Sequence, residues 1–238
     1  MTSRPNFVLF SPAHFAILAA TPLLGAVLAA IQRRLTPGAK WLRLGVAWLL
    51  LADTVLWYAE LAARGQLTFP ERVPLELCDA SLFMMIVALF VMRASVFDLA
   101  YYTAIAGGSM ALLTPNLWEP FPSLGTIQFF IAHGLTLAAA LYLVWSGQAR
   151  PRPGSVRRAL LAVNLYAGLV IAFDFIFRTN FMYLLHKPEN PSLLDFLGPW
   201  PWYILAAEGV ALVLFSLLYL PFRERRAPWG DPGRSQEI

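Results

Sequence analysis

Among 238 residues there is one cysteine, and histidines number three and lysines two. A single cysteine excludes an internal disulfide and leaves Cys78 as an odd thiol, a group worth testing for reactivity. The absence of a GxSxG elbow, of an HExxH helix and of histidine or cysteine pairs at ligand spacing argues against a hydrolase-fold nucleophile and against a metal site. Neither lysine falls within an apolar run, so a retinal Schiff base is excluded. Charge is scarce as well. Only 13% of residues are charged, against roughly a quarter in a soluble domain, so a soluble globular chain is excluded. The N-terminus lacks a cleavable signal pattern: Arg4 is the one early positive charge, and the run Phe15 to Ile31 reads as a retained span.

What is abundant is apolar sequence. Hydrophobic residues make up 58% of the chain, and the mean hydropathy is +0.60. Seven stretches approach the roughly 20 residues that cross a bilayer, at 12–32, 41–63, 76–92, 97–113, 126–146, 156–177 and 202–221. The third and fourth are short and joined tightly near Arg93. The expectation is therefore an all-α polytopic bundle of about seven transmembrane helices forming one domain over 1–222, with a polar tail at 223–238. Of the basic residues, 13 fall on the side of the 33–43, 93, 150–158 and C-terminal segments. The other 5 are Arg4, Arg64, Arg72, Arg178 and Lys187. The positive-inside rule then places the C-terminus in the cytoplasm and the N-terminus outside. The net charge of +4 belongs to topology and anionic lipid rather than to nucleic acid.

Ionisable residues at membrane depth mark sites by default, because burying them in hydrocarbon is costly. Asp53, Glu60, Cys78, Asp79, His133, Asp174 and Glu208 qualify, with Ser81, Gln128 and Asn164 as neutral companions. At about 1.5 Å per residue, His133 and Glu208 should lie ~10 Å below the outer surface. Cys78, Glu60 and Asp174 lie near the outer ends of their spans, so the polar layer belongs to the non-cytoplasmic half. His14 and His186 lie near a span end or in a loop, and His14 reads as interfacial or solvated.

A cysteine attacks as thiolate, and a neighbouring imidazole or cation activates it. His133 is the natural general base, and an acidic partner such as Asp174, Glu208 or Asp79 would fix its tautomer. Glu76 and Asp79 should oppose thiolate formation unless the helix turns them aside. Their positions, about 200° and 100° around from Cys78, allow that.

Several segments together carry a resemblance. Leu75-Glu76-Leu77-Cys78-Asp79, Leu112-Leu113-Thr114-Pro115-Asn116, Phe129-Phe130-Ile131-Ala132-His133-Gly134, Thr179-Asn180-Phe181-Met182-Tyr183-Leu184 with Lys187-Pro188, and Gly198-Pro199-Trp200-Pro201-Trp202-Tyr203 look like the YwaF-type bacterial integral membrane proteins. That family is similar to an animal multi-pass acyltransferase that makes polyunsaturated ether phospholipids. The resemblance, which runs from about 73 to 205, implies a lipid acyltransferase or transacylase, or a lipid ester hydrolase, in a bacterial cytoplasmic membrane. In it Cys78 would be the nucleophile and His133 the base, with no cofactor.

The expected catalytic set is Cys78, His133, Asp174 and Glu208. The expected contacts to a phospholipid or lysophospholipid are Asp79, Asn116, Gln128, Arg178, Asn180, Lys187, Trp200 and Trp202. Gln128, Asn180 or backbone amides near the start of the third stretch would serve as oxyanion donors, and Arg178 and Lys187 as phosphate ligands. The competing expectations are a proton-coupled transporter, for which the cytoplasmic half lacks a mirror-image polar path, and a non-enzymatic membrane assembly protein.

Overall fold

The computed structural model describes residues 7–36, 39–115, 117, 121–188 and 192–223. All the regular structure among them is helical. We number seven helices: α1 Pro12–Arg34, α2 Trp41–Ala63, α3 Leu77–Val91, α4 Ala94–Leu113, α5 Leu124–Trp145, α6 Ser155–Phe177 and α7 Trp202–Tyr219. Six of these seven are long and apolar enough to cross a membrane; for α7 this counts its continuation to Phe222. The exception is α3. Its 15 residues span about 22 Å, short of a hydrocarbon core of about 30 Å. The seven expected stretches thus resolve into six spans and one shorter helix, and α4 starts at Ala94 rather than 97.

Local chemistry sets the helix ends. Ser11 caps α1, its hydroxyl accepting the His14 N–H at 3.3 Å, and Pro12 occupies the first helical position, where its missing donor costs nothing. Ser123 caps α5 in the same way through the Thr126 N–H at 3.1 Å. The α3 helix begins with a capping box built from two acids: the Glu76 N–H donates to Asp79 Oδ2 at 3.2 Å, and the Glu76 side chain accepts from the Asp79 amide. It ends at Met92, whose left-handed backbone turns the chain into α4 within two residues. Midway along α4, residues Thr103–Gly107 form a π-helical turn, a local widening often found at functional sites.

The centre of the bundle is α5, in which Ala138, Ala139, Ala140, Tyr142 and Leu143 have no exposed surface. Against it lies α1, close enough that a Cβ on Gly25 would stand 3.0 Å from the Ala138 carbonyl oxygen. Small residues at such contacts let membrane helices approach where the hydrophobic effect offers no drive. On the periphery, α6 presents Leu165, Leu169, Phe175 and Ile176 outward, Leu169 being 72% exposed. An apolar face of that extent fits lipid, not water.

One end of the bundle is tied by a polar network. Asp98 of α4, 1% exposed, accepts from the Arg152 amide (3.0 Å) and Nε (2.8 Å) and from Arg158 Nη2 (3.0 Å). Nearby Tyr102 and Ser155 share a hydrogen bond of 2.7 Å, Tyr101 donates to the Leu218 carbonyl, and Arg33 reaches the Trp145 carbonyl. The α1 and α7 C-termini, the α4 start and the α5–α6 connection therefore share one face, the one on which the arginines are concentrated. At the other end His14 is fully buried, contrary to its expected interfacial setting. The Phe10 N–H donates to its Nδ1 at 2.9 Å, so Nε2 carries the proton given to the Leu112 carbonyl at 2.7 Å. Phe7 and Phe130 pack against the ring. The imidazole is a clip between the N-terminal segment and the end of α4.

Candidate functional site

Two adjoining cavities open between the helices at the end remote from the arginine cluster. The inner one has a volume of about 470 Å³ and is walled by α2, α3, the π-helical turn of α4, α5, the segment after α6 and Ala207 of α7. Small-molecule sites commonly measure about 300–1,000 Å³ and are apolar with a few placed polar groups. Here those groups are Cys78, His133, Gln128, Thr136 and the bonded pair Ser81 and Thr103. The outer cavity, about 450 Å³, is more polar and includes Glu71, Arg72, Asn180, His186 and Lys187. Trp57, Tyr58, Glu76, Asp79 and Tyr183 line both cavities, so they form the wall between them.

Cys78 stands in the first turn of α3, exposed rather than packed, on the lining of the inner cavity. His133 of α5 lines the same cavity. Its Nδ1 lies 2.8 Å from the Phe129 carbonyl oxygen, which can only accept, so Nδ1 carries the proton and Nε2 is left with a free lone pair. The Phe129 ring also lies tilted against the imidazole at a centroid distance of 4.1 Å. The tautomer that a general base needs is thus fixed by a backbone carbonyl one turn earlier on the same helix. Neither Asp174 nor Glu208, two of the expected acidic partners, bonds the imidazole. Asp174 accepts through Oδ1 from Thr179 Oγ1 (2.6 Å) and the Phe181 amide (3.0 Å), and Glu208 accepts from Asn164 at 2.7 Å.

The carboxylates beside Cys78 are hydrogen-bonded. Burial first, and then the charges of Asp79 and Glu76, nevertheless push the thiol above its ordinary range, so the expected opposition to thiolate formation stands. Asp79 caps its own helix, and Glu76 Oε2 accepts the Met182 N–H at 2.9 Å. Burial pushes the Glu76 carboxyl up from its ordinary 4.5 to about 7; the Met182 N–H opposes this, and the charges of Asp79 and Asp174 add to it. Consecutive amides, Phe181 and Met182, are therefore held by acids from two helices. The strand of chain they hold has left-handed backbone at Arg178, Met182 and Tyr183, a conformation that is uncommon without glycine. Tyr203 donates to the Tyr183 carbonyl and Trp200 Nε1 to that of Leu184, at 3.2 Å for the latter, so the segment is fastened from α7 as well.

The remaining expected contacts divide. Gln128 lines the inner cavity and donates to Asp53 at 3.4 Å. Asn180 lines the outer one, but its oxygen accepts from the Leu185 and His186 amides and its nitrogen donates to His186, so it organises the loop. Lys187 lines the outer cavity 4.0 Å from Asp195 and over the Tyr203 ring. Arg178, Trp200 and Trp202 line neither cavity. Asn116 lies outside the described residues. Arg72 and His186 also line the outer cavity and Thr136 the inner one, and nothing in their sequence neighbours marks them out.

A family model described as the TMEM164 family matches residues 9–219, nearly the whole helical bundle. The chain belongs to the TMEM164 family. It is thereby an integral membrane protein, in accord with its six apolar spans. No curated protein and no solved structure matches it. Both cavities of this TMEM164-family chain, with Cys78 and His133 on the lining of the inner one, fall inside the matched segment.

Proposed function

We propose that the chain is a membrane lipid acyltransferase or transacylase acting through a cysteine nucleophile on a phospholipid of the non-cytoplasmic leaflet of a bacterial cytoplasmic membrane. One observation carries the reading: Cys78 and His133 line the same apolar cavity, and His133 presents an unprotonated Nε2. On this reading the arginine-rich face is the cytoplasmic one, so the cavities open outward.

In the first step His133 Nε2 takes the thiol proton as Cys78 Sγ attacks the ester carbonyl carbon. The tetrahedral adduct expels the lysolipid oxygen, which receives that proton from His133, and an acyl-thioester remains. In the second step an acceptor hydroxyl gives its proton to His133 and attacks the thioester carbon. Collapse returns the acylated acceptor and the Cys78 thiol. Arg72 and Lys187 in the outer cavity offer a fork and a point charge to a phosphate, while the inner cavity takes the acyl portion. Asp174 and Glu208 have no part in these steps; Asp174 supports the wall between the cavities.

The test is to incubate detergent-solubilised protein with phospholipid labelled in its acyl chain and to read the mass of the Cys78 peptide. An acyl-thioester on wild type, absent in Cys78→Ala and reduced in His133→Ala, is the expected result. Undiminished acyl transfer by Cys78→Ala would sink the reading.

A further inference from the structure

The helices of this bundle treat several of their threonines alike, and one differently. Thr21, Thr54, Thr103 and Thr114 each donate to the carbonyl four residues earlier, at 3.1, 2.8, 3.0 and 3.0 Å. Thr136 sits in the middle of α5, 5% exposed, and its Oγ1 has no hydrogen-bond partner among the described residues. A buried hydroxyl left unpaired is costly, so such groups call for an explanation. The residue lines the inner cavity, and it lies three positions after His133, on the same helical face. Opposite, a Cβ on Gly108 of α4 would meet Leu137 at 3.6 Å and the His133 carbonyl at 3.9 Å. The chain just after the wide turn of α4 thus packs directly on the turn that carries both His133 and Thr136. The other threonines lining this cavity are engaged: Thr103 with Leu99 and Ser81, and Thr54 with Leu50.

The geometry points to Thr136 as the donor that stabilises the oxyanion formed when Cys78 attacks an ester carbonyl, a catalytic residue whose hydroxyl is kept free for the transition state. The inference rests on the acyl-transfer reading and adds a donor to those expected: Gln128 gives one N–H to Asp53, and Asn180 lines the outer cavity with its nitrogen turned to His186. As Sγ bonds to the carbonyl carbon, the pair of electrons displaced from the C=O bond resides on oxygen. Thr136 Oγ1–H donates to that oxygen, and the bond loosens when the carbonyl re-forms. A hydroxyl donor aimed at developing charge acts on the barrier more than on binding.

The experiment compares wild type, Thr136→Val, Thr136→Ser and Cys78→Ala. It measures steady-state acyl transfer from labelled phospholipid, and acylation of Cys78 by a p-nitrophenyl acyl ester, read by intact mass. Thr136→Val keeps the shape and removes the hydroxyl. It is expected to lower kcat about 10²–10³-fold with KM little changed, and to slow the ester acylation by a similar factor. Thr136→Ser is expected to restore most of both, and the thermal midpoint of Thr136→Val should equal or exceed that of wild type, since no intramolecular bond is lost. Wild-type kcat in Thr136→Val while Cys78→Ala is dead overturns this inference alone, as does a raised KM with unchanged kcat or a lowered midpoint. Full activity in Cys78→Ala, or no acylation of wild-type Cys78 by either reagent, overturns the acyl-transfer reading and this role with it.

Discussion

Replacing Glu76 with glutamine isolates the energetics of the wall between the two cavities. The amide oxygen of the new side chain can still accept the Met182 N–H that Glu76 Oε2 accepts at 2.9 Å, so the substitution removes charge and titration; any loss at the Asp79 amide, which the Glu76 side chain also accepts, offsets stability alike at every pH. In the folded protein the Glu76 carboxyl titrates at about 7, against 4.5 ordinarily, chiefly because it is buried. The folded state therefore holds its proton over a range where the unfolded chain has released it. Below about pH 4.5 both states are protonated and Glu76 adds no pH dependence. As the pH rises from there to about 7, the unfolded state gains from ionisation and stability is lost. Above that it is flat. At about 1.4 kcal/mol per decade, the total loss is about 3 kcal/mol. Thermal unfolding in detergent micelles should show Glu76→Gln gaining on wild type by about that amount between pH 4.5 and 8, with most of the divergence before pH 7. Parallel pH profiles for the two proteins would refute the reasoning, since other buried acids, Asp79 included, are common to both.

Two further substitutions probe the frame that holds the site. Asp98→Asn removes the charge that Arg152 and Arg158 share while preserving shape; the arginines are near half-exposed and can rehydrate. A destabilisation of about 3 kcal/mol is expected, the low end for breaking a buried ion pair, and is measurable as a lowered thermal midpoint. An unchanged midpoint would show that the network is dispensable. Gly25→Val puts methyl groups where even a Cβ stands 3.0 Å from the Ala138 oxygen and from Leu141 Cβ. It should cost about 1–3 kcal/mol, and Gly25→Ala less, by the same measurement. Equal midpoints for the three proteins would mean that α1 and α5 can separate freely.

Much of the fold was legible in the sequence because hydrocarbon imposes a simple rule: a long apolar run must be a helix. The second stretch, 41–63, coincides with α2, and the cluster of arginines identified the face now seen to be tied through Asp98. What stayed hidden depended on contacts between distant residues. Asp98 lies in the first turns of α4, and nothing nearby announces that its partners are 54 and 60 positions away. His14 looked interfacial because its burial depends on Leu112 and Phe130, which only folding brings to it. At the site, apolar flanks and the scarcity of the residue types made Cys78 and His133 stand out. The orientation of His133 by Phe129, rather than by a carboxylate, could not be read from composition. The preference for Asp174 or Glu208 as its partner came from the habits of soluble triads, where acids are plentiful near the base. Here one acid props up a loop and the other meets Asn164.

The shortness of α3 has a consequence for the bilayer itself. A helix of 15 residues, with Phe83, Val87 and Val91 partly exposed, leaves several ångströms of hydrocarbon unmatched. Lipids answer such mismatch by thinning locally, at a cost of fractions of a kcal/mol per ångström. Because α3 starts beside Glu76 and Cys78, a deficit taken up at that end would draw the headgroup plane down toward the thiol. A phospholipid's ester linkages lie just beneath its headgroup, so on the acyl-transfer reading a dimple in the leaflet brings the scissile bond to the cysteine without extracting the lipid. On that reading, turnover should vary with the acyl-chain length of the host bilayer, rising as the membrane thins to match α3.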